Sequence, residues 1–417
     1  MLIRSLIFVL ILFVVDLYVF QAVRVAFRSS TFLLPKNIYT IYWILCASCY
    51  LILIAGGIID WHTWPKAVRT YLFAFVFISF FAKLFVVIFL LVDDLIRLFR
   101  WLFKVVFQSN TTTTATAAKV GISRSDFLVR LGLIIGAVPF FSMIYGMFSG
   151  AYNYSVKRIK IKVPDLPDSF NGFKIVQLSD IHTGSFTRKH PVHRSVDLAM
   201  EEKPDIIFFT GDLVNDKSEE ALPYMEVFNK LNAPHGVYSI FGNHDYGDYI
   251  EWESPAAKIA NLEKLKQIHK QLGWKLMLDE NARIQKGDDH IGLLGVQNWS
   301  THLRFPKYGS MEKATKDFEP SSFNILLSHD PSHWRAEILE KYPFVDLMLA
   351  GHTHGFQFGI EIPGFKWSPV QYIYNEWAGL YKEGRQHLYV NRGLGFLGYP
   401  GRVGIMPEIT VIELVKA

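Results

Sequence analysis

Five short polar motifs, each placed directly after an apolar run, contain the residues of this chain that could do chemistry. They are Asp180-x-His182, Gly211-Asp212, Asn243-His244-Asp245, His329 and His352-x-His354. Together they offer carboxylate, amide and imidazole groups without a thiol, a mixture that suits Mn, Fe or Zn better than Ca or Cu(I). Apart from His244 and Asp245, the motifs hold two Asp, one Asn and four His, which are too many ligands for one tetrahedral zinc ion. They suit two ions about 3.5–4 Å apart that share a bridging carboxylate, lower the pKa of a water and clamp a phosphoryl group.

Each motif has a structural alternative when it is taken alone. An isolated Asp-x-His is common, Gly-Asp and Asn-His-Asp are frequent in turns, and a single His-x-His can arise by chance. Here, however, all five motifs stand at the ends of apolar runs within about one domain. Their conjunction favours one shared site.

The apolar runs predict the elements that bring the motifs together. Runs of four to seven apolar residues bounded by Gly, Asp or Pro are typical of buried strands. We predict strands at Lys174–Leu178, Ile206–Thr210, Val237–Phe241, Ile291–Val296, Phe323–Leu327, Val345–Leu349, His387–Val390 and Glu408–Leu414. We predict helices at His193–Lys203, Pro255–Leu272 and Pro331–Glu340. Because the later strands follow closely on one another, a layered α/β sandwich with mixed β-sheets fits better than a doubly wound sheet.

Ligand sites of open α/β sheets gather beyond the carboxyl ends of the strands, which is where the motifs fall. Residues two apart in an extended backbone face the same way. The sequence therefore predicts that Asp180 and His182 point together, as do His352 and His354. The neighbouring glycines allow the backbone to approach the site closely.

The order of these motifs resembles the calcineurin-like metallophosphoesterase superfamily over residues 155 to 416. The segments Leu178–Gly184 and Ala350–Gly355 are close to the family pattern. The tail, with Asn391–Gly395, Pro400, Arg402, Pro407 and Glu408, resembles the bacterial membrane-associated branch. The resemblance implies a four-layer sandwich and the hydrolysis of a phosphoester or pyrophosphate bond.

The resemblance also implies roles for single residues. The first metal would be held by Asp180, His182, Asp212 and His354, and the second by Asp212, Asn243, His329 and His352, with Asp212 bridging. His244 would face the substrate, stabilising phosphoryl charge or protonating the leaving oxygen, and Asp245 would orient His244. The nucleophile would be a metal-bound hydroxide. Purple acid phosphatases carry a Tyr three residues after the bridging Asp, where this chain has Asn215, which argues against a Tyr-ligated ferric site.

The composition is uneven along the chain. The 417 residues are 50% hydrophobic and 19% charged, with a mean hydropathy of +0.19, which excludes a disordered chain and an ordinary soluble one. Residues 1–150 carry 13 Lys and Arg against 5 Asp and Glu, a net charge of +8, whereas the remainder carries 30 against 33. The basic surplus flanks apolar segments, so no nucleic-acid partner is expected. Two cysteines, both in one apolar run, exclude a disulfide framework.

Four apolar segments are long enough to cross a bilayer. We predict spans at Leu6–Val25, Ile38–Ile59, Thr70–Val92 and Phe127–Met147, which makes residues 1–150 a transmembrane region and residues 151–417 the metallophosphoesterase domain. Few ionisable residues fall inside the spans apart from Arg24 at the end of the first, namely Asp16, Lys83 and Arg130. For Asp16 and Arg130 we expect positions near helix ends or pairing between helices rather than a functional role. A loop tip is expected at Ser109–Ala118.

The positive-inside rule is nearly balanced for this chain. The loops after the first and third spans carry 8 basic residues, and the opposite side carries 7. Four of these 7, Lys157, Arg158, Lys160 and Lys162, lie in a half-buried strand that the alternation of basic and apolar residues up to Val163 predicts. We therefore expect a multi-pass protein of a bacterial inner membrane with its catalytic domain on the non-cytoplasmic side. The expected partners are the lipid bilayer and a phosphorylated small-molecule or lipid-linked substrate; the oligomeric state stays open.

Three functions remain open at this point. The leading one is a membrane-anchored phosphoesterase that uses two divalent metal ions. The second is a non-catalytic membrane sensor or scaffold that keeps the fold; loss of a ligand or of His244 would favour it, and none is missing. The third is a small transporter with an accessory phosphatase domain, which the few central charges in the spans do little to support.

Overall fold

The computed structural model describes residues 2–28, 35–59, 63–107 and 123–417. The chain divides into two compact units, Met1–Tyr145 and Gly146–Ala417. The loop tip predicted at Ser109–Ala118 lies outside the described residues.

Four long helices come first in the chain. They are α1 (Leu2–Phe27), α2 (Pro35–Ile58), α3 (Lys66–Phe107) and α4 (Arg124–Phe148). All four are long and apolar enough to cross a membrane, which confirms the predicted N-terminal region of four transmembrane helices.

Helix α3 is longer than the span predicted within it. It runs for 42 residues, about 63 Å at 1.5 Å per residue, and continues past the predicted end at Val92 to Phe107. The charges after Val92 end the apolar run without ending the helix, since Arg97 Nε lies 3.2 Å from the Asp93 carboxylate one turn earlier. Charge marks where a membrane span stops, but a helix stops only where its backbone hydrogen bonds do.

Two ionisable residues pair inside the first unit. Lys83 Nζ of α3 lies 2.5 Å from Asp16 Oδ1 of α1, and the Tyr50 hydroxyl of α2 donates to Asp16 Oδ2 at 2.6 Å. Asp16 is fully buried. A charge in the middle of a span is costly unless it is paired, so this contact between three helices matches the expectation of interhelical pairing for Asp16.

The second unit is built around two six-stranded sheets. In the first sheet the order is β1 (Ser155–Val163), β14 (Glu408–Lys416), β2 (Lys174–Leu178), β3 (Ile206–Phe209), β4 (Val237–Ser239) and β5 (Trp274–Leu276). In the second sheet the order is β12 (Gly379–Glu383), β13 (Gln386–Val390), β9 (Leu347–Ala350), β8 (Asn324–Leu327), β7 (Asp289–Gly295) and β6 (Glu280–Lys286). A separate hairpin joins β10 (Ile360–Ile362) to β11 (Phe365–Trp367). The pairs β14–β2, β6–β7 and β12–β13 are antiparallel and the other pairs within the two six-stranded sheets are parallel, so the predicted mixed sheets are confirmed.

Helices cover the outer faces of these sheets. They are α5 (Lys189–Glu201), α6 (Met225–Phe228), α7 (Pro255–Gln271), α8 (Met311–Ala314) and α9 (Leu339–Lys341), the last preceded by a π-helical turn at Trp334–Ile338. Along β3, Ile206 and Phe208 join the core between the sheets, while Ile207 and Phe209 join the core that contains α5 and α7. Strands buried on both faces explain why their sequence is a continuous apolar run. The result is the predicted four-layer α/β sandwich.

Candidate metal centre and active site

The strands end where the polar motifs begin. Strands β2, β8 and β9 end two residues before Asp180, His329 and His352, in that order. Strand β3 ends three residues before Asp212, and β4 ends four residues before Asn243. Parallel pairing aligns Leu178 with Phe209, and Leu327 with Leu349, so the motifs lie side by side. The structure brings together all seven side chains predicted as ligands, and every one is buried or nearly so.

The backbone at these motifs is not extended, contrary to the prediction from strand alternation. Asp180, His182, Asp212, His352 and His354 all have φ between 49° and 70°, in the left-handed region. Such dihedrals cost free energy for residues other than glycine and persist only where the surroundings enforce them. Each pair therefore converges through strained turns beyond the strand end, and five of the seven predicted ligands carry this strain.

Two glycines make room for the carboxylates. A Cβ on Gly351 would lie 2.2 Å from Asp180 Oδ2, and a Cβ on Gly242 would lie 2.3 Å from Asp212 Oδ1. Both distances are far below van der Waals contact. The glycines are needed at these positions because the backbone touches the acidic side chains directly.

The first group of converging side chains is Asp180, His182 and His354, whose potential ligand atoms all lie within 4.8 Å of one another. His354 Nε2 is 3.3 Å from Asp180 Oδ1. Both ring nitrogens of His182 and Nε2 of His354 are buried without a hydrogen-bond partner. Buried polar atoms without partners are costly, and a cation bound to them would satisfy them. These residues therefore fit a metal ion.

Asp212 lies between the two halves of the site. Its Oδ2 is 3.5 Å from His182 Nε2 and 3.2 Å from His329 Nε2. Beyond His329, His352 Nδ1 is 3.3 Å from His329 Nε2 and 2.8 Å from Asn243 Oδ1. A second group, Asp180, Asp212 and His329, also has the spacing of a metal site. The central position of Asp212 is the one that a bridging ligand needs.

Contacts behind the rings aim particular nitrogens into the site. His329 Nδ1 lies 2.7 Å from the Thr210 carbonyl oxygen and can only donate to it, which leaves Nε2 facing Asp212. His352 Nε2 lies 3.6 Å from Asp330 Oδ2, which leaves Nδ1 facing Asn243. A donor–acceptor contact at the far nitrogen is the usual way in which a protein fixes the tautomer of a ligating imidazole.

The electrostatics of the cluster favour a bound cation. Burial lowers the pKa of His182 to about 3 and that of His352 to about 4, so both rings are neutral with a free lone pair. Burial also disfavours charge on His329, but the Asp212 carboxylate outweighs burial and raises the pKa of His329 to about 10. A proton thus sits between Asp212 and His329, at the place where a metal ion would take over its positive charge.

The role inferred for Asp245, orienting the His244 ring, is not what the structure shows. Asp245 is fully buried and accepts from the backbone N–H groups of Asp212 at 2.8 Å, Leu213 at 2.9 Å and Gly242 at 2.9 Å. The His244 ring is held instead by Asn215, whose carbonyl oxygen lies 2.8 Å from Nδ1. The carboxylate is occupied by amides because the turns it joins leave their N–H groups unpaired. Asp245 therefore shapes the Asp212 turn rather than the His244 ring.

Two further residues support the ligands. Asp330 Oδ1 accepts from Ser332 N at 2.8 Å, and its other oxygen faces His352. Arg402 is fully buried, with Nη2 at 3.2 Å from His354 Nδ1 and Nη1 donating to the His354 carbonyl at 3.3 Å. The sequence signal for Arg402 was its place in the C-terminal motif, which did not reveal what it contacts.

An aromatic rim surrounds the metal-facing side chains. The ring centroids of Phe305 and Tyr374 lie 4.6 and 5.6 Å from that of His352, and Tyr249 lies 4.6 Å from His244. The Tyr249 hydroxyl also accepts from Asn243 Nδ2 at 2.8 Å. Tyr249 and Phe305 come from loops without a recognisable motif, so they could not be selected from the sequence.

Comparison with known proteins covers both parts of the chain. Residues 2–151 match the family model "Probable Calcineurin-like phosphoesterase, transmembrane domain", and residues 173–356 match "Calcineurin-like phosphoesterase". The chain is 33% identical to the metallophosphoesterase YkuE of Bacillus subtilis over 259 residues, which is 61% of this chain and 83% of that protein. It is 27% identical to the phosphodiesterase YaeI of Escherichia coli over 299 residues, 70% of this chain and 100% of that protein.

A vertebrate relative has the same combination in its description. The transmembrane protein with metallophosphoesterase domain of Danio rerio is 31% identical over 294 residues, which is 69% of this chain and 62% of that protein. The chain thus spans less than two thirds of the length of this relative. The matching models, the relatives and the fold agree with one another: the chain belongs to the calcineurin-like metallophosphoesterase family, in the form that carries a four-helix transmembrane domain.

Proposed function

We propose that the chain is a membrane-anchored hydrolase that cleaves a phosphoester or pyrophosphate bond with two divalent metal ions, of Mn, Fe or Zn. The observation that carries the proposal is the set of buried ring nitrogens on His182 and His354 that lack partners and lie beside Asp180. Family membership supports hydrolysis, and the oxygen and nitrogen donors support divalent ions.

The two ions would be held by the seven residues in the roles inferred from the resemblance. Asp180, His182 and His354 would hold the first, Asn243, His329 and His352 the second, and Asp212 both. When bound, such ions act as Lewis acids, lowering the pKa of a water and neutralising the charge of a phosphoryl group. The surrounding protein keeps the imidazoles neutral and correctly turned.

His244 would contact the substrate. Its backbone N–H donates to Asp212 Oδ1 at 2.8 Å, and its Nδ1 donates to the Asn215 carbonyl, so the ring edge that carries Nε2 is left for another partner. A positioned imidazole can donate a hydrogen bond to a phosphoryl oxygen or a proton to the leaving oxygen. Asp245 would support this arrangement indirectly, through the backbone of the Asp212 turn.

The rim suggests which substrate class to test first. Tyr249 and Phe305 offer partly exposed aromatic surfaces beside the ligands, and the buried Tyr374 lies behind His352. A diester or pyrophosphate with an organic group on each side can use such surfaces, whereas inorganic phosphate cannot. The Escherichia coli relative YaeI is named a phosphodiesterase, which points the same way.

The chain would be anchored by residues 1–150 in a bacterial inner membrane, with residues 151–417 as the catalytic domain on the non-cytoplasmic side. The membrane location is supported by the four spans and the transmembrane family model. Sidedness is tested by external protease on spheroplasts, whose outer membrane has been opened. Cleavage within residues 151–417 supports this orientation, and full protection from external protease contradicts it.

The proposed reaction is tested on the purified full chain in detergent. The protein is stripped with a chelator, reloaded separately with Mn²⁺, Fe²⁺ or Zn²⁺, and assayed with model phosphodiesters, phosphomonoesters and pyrophosphate diesters. We expect metal-dependent turnover that Asp212→Asn lowers about 100-fold or more, since even residues behind metal ligands contribute 10- to 100-fold. The matched control is Asp317→Asn, which changes another aspartate with positive φ on the surface and should leave turnover unchanged.

Two results would contradict the proposal. If the parent protein and Asp212→Asn are equally inactive with every ion and substrate, the chain is not this kind of enzyme. If the parent protein binds metal ions at the expected stoichiometry but never turns over, the sensor or scaffold function becomes the better one.

A further inference from the structure

The exposed apolar side chains of the second unit are concentrated in one segment. Of the twelve large hydrophobic residues exposed after residue 150, seven lie between residues 356 and 380: Phe356, Ile360, Ile362, Phe365, Tyr372, Ile373 and Leu380. Single exposed hydrophobic residues are ordinary, but a cluster of this kind marks a surface that contacts something else.

The charged groups of the β10–β11 hairpin bind the body of the domain, and three of its four apolar side chains are exposed. Register pairs Ile360 with Trp367 and Ile362 with Phe365 on one face, and Glu361 with Lys366 on the other. Side chains alternate between the two faces of a hairpin, and in a water-exposed hairpin the apolar face normally packs on the body of the protein. Here Ile362 is 58% exposed and Phe365 52% exposed, so the usual orientation is reversed.

Specific contacts hold the hairpin in this orientation. Glu361 Oε1 accepts from Arg392 Nη2 at 2.9 Å and from Lys157 Nζ at 3.2 Å, and the ammonium of Lys366 donates to the Ala378 carbonyl. The charged face is thereby bound to the body. The apolar face, which we call the hairpin face (Ile360, Ile362, Phe365 and Trp367), is left outward by these contacts rather than by chance.

Neighbouring residues extend and brace the hairpin face. Trp367 Nε1 lies 3.4 Å from the hydroxyl of Tyr372, which places this 77% exposed tyrosine beside it. At the base of the hairpin, Gly359 N donates to the Val403 carbonyl at 2.9 Å and Ser368 Oγ donates to the Gly355 carbonyl at 2.8 Å. The hairpin face and the adjacent Tyr372 therefore form a fixed surface of isoleucine, phenylalanine, tryptophan and tyrosine.

We propose that the hairpin face lies in the interfacial region of the bilayer that the four helices span. Helix α4 ends at Phe148 and β1 begins at Ser155, so six residues, three of them in a 3₁₀ turn, connect the span to the domain. Six residues reach at most about 20 Å, so the domain cannot leave the membrane surface. Ring systems with one polar edge, as in Trp367 and Tyr372, are the side chains that membrane–water interfaces select.

The bilayer is the occupant that the connection favours because it is always within reach, whereas a second protein would have to associate. A bilayer also fits a surface without net charge: the two charged residues of the hairpin, Glu361 and Lys366, are both bound on the opposite face. The contact would add to anchoring by the helices and fix the tilt of the domain against the membrane.

The test measures depth in the membrane on the full chain in lipid nanodiscs. In a Cys46→Ser, Cys49→Ser background, a single Ile362→Cys is labelled with an environment-sensitive fluorophore, and nitroxide groups on the lipid acyl chains act as the quencher. Ile259→Cys on α7 is the matched control, since Ile259 is 63% exposed and Ile362 58%. We expect the label at residue 362 to shift to the blue and lose most of its fluorescence in nitroxide lipid, and the label at residue 259 to do neither.

Two outcomes overturn the proposal. Equal, water-like emission at residues 362 and 259 would show that the hairpin face is in solvent. A blue-shifted label at residue 362 that the lipid nitroxides do not quench would show that protein covers the face, whether a second copy or another chain.

A second variant separates membrane contact from misfolding. Ile362→Ser with Phe365→Ser should abolish lipid quenching of a label at Tyr372→Cys while leaving the thermal midpoint close to that of the parent. The same pair of measurements with Ile259→Ser should change neither. Quenching at residue 372 that survives the double substitution would contradict the proposal, because Tyr372 would then reach the lipid without the hairpin face.

Discussion

Arg402 is predicted to position the metal ligand His354, and its replacement should weaken metal binding more than stability alone explains. The side chain is fully buried. Its guanidinium donates to the carbonyl oxygens of Gly395 at 2.6 Å, Gly393 at 3.1 Å and His354 at 3.3 Å, with Nη2 also 3.2 Å from His354 Nδ1. One cation thus ties the loop at residues 393–395 to the backbone and the ring of one ligand.

Arg402→Met removes these donors while keeping most of the volume. Three carbonyl groups would lose a buried donor, at about 1–3 kcal/mol for each group left unsatisfied, so we expect a stability loss of about 3–5 kcal/mol after partial relaxation. Freed from its backing, the His354 ring should also bind metal more weakly. Residues behind metal ligands typically contribute 10- to 100-fold in affinity, and we expect a loss of about that size.

The assay combines denaturant unfolding of the metal-free protein with metal titration of the folded protein at low temperature. Arg402→Lys restores a buried cation but not the fork of donors, so it should recover part of the stability and little of the affinity. The control is Arg385→Met, which removes an arginine that is largely exposed and bound to Asp346 away from the ligands. Parent-like metal affinity in folded Arg402→Met would refute the positioning role, whatever its stability.

Three other predictions concern the ion pair in the helices, a buried histidine and a glycine. Asp16→Ala or Lys83→Met alone should lower the thermal midpoint in detergent, because each leaves the other charge buried without its partner, at a cost of about 3 kcal/mol. The double variant should be closer to the parent than either single variant. Losses of the two single variants that simply add in the double variant would contradict this prediction. His269 is buried and burial lowers its pKa to about 3, so its neutral form stabilises the fold above pH 6.5 and this contribution is lost as the pH falls toward 3. At pH 5 the loss is about 2 kcal/mol, and His269→Gln should flatten the stability–pH profile between pH 6.5 and 4; an unchanged slope would argue against it. Gly351→Ala should reduce the metal content of the purified protein, because the new Cβ would lie 2.2 Å from Asp180 Oδ2; a full metal complement would show that the turn can shift.

The parts of the fold that could be predicted are those buried on two sides. Strand β3 contains only Ile and Phe, because one face packs between the sheets and the other under the helices. Such runs are read as strands buried on both faces, and polar residues that follow them must lie beyond the carboxyl ends of those strands. For that reason the positions of Asp180, Asp212 and His329 could be predicted without coordinates.

An edge strand without apolar alternation could not be predicted, whereas the alternation along another edge strand, β1, predicted it. Strand β6 (Glu280–Lys286) has a single buried side chain, Ile284, and its sequence offers no run or clear alternation of apolar residues. Its place in the sheet comes from pairing with β7. Backbone hydrogen bonds with a partner strand depend little on the type of side chain, so the sequence does not reveal an exposed strand of this kind.

The role of Asp245 shows a second limit. An aspartate beside a histidine suggests a contact between side chains, and the resemblance implied one. The carboxylate instead binds amides of Asp212, Leu213 and Gly242, which every sequence possesses and no motif reports. Those amides are free because residues 211 and 212 have positive φ, a conformation decided by the assembled site and not by local preference.

The transmembrane spans and the cores do not account for all the hydrophobic residues of this chain. Four predicted spans account for most of the hydrophobic excess, and the remaining residues then look like a soluble domain. Yet Ile362, Phe365 and Tyr372 are apolar or aromatic side chains of that domain that no core contains, and their exposure follows from the polar anchoring of Glu361 and Lys366 on the other face. The alternation of residues 360–367 would fit a hairpin with either face buried, and only the partners of Glu361 decide between them. If the labelled hairpin proves to be in lipid, membrane contact in this family member extends beyond its transmembrane helices and into the domain that holds the metal ligands.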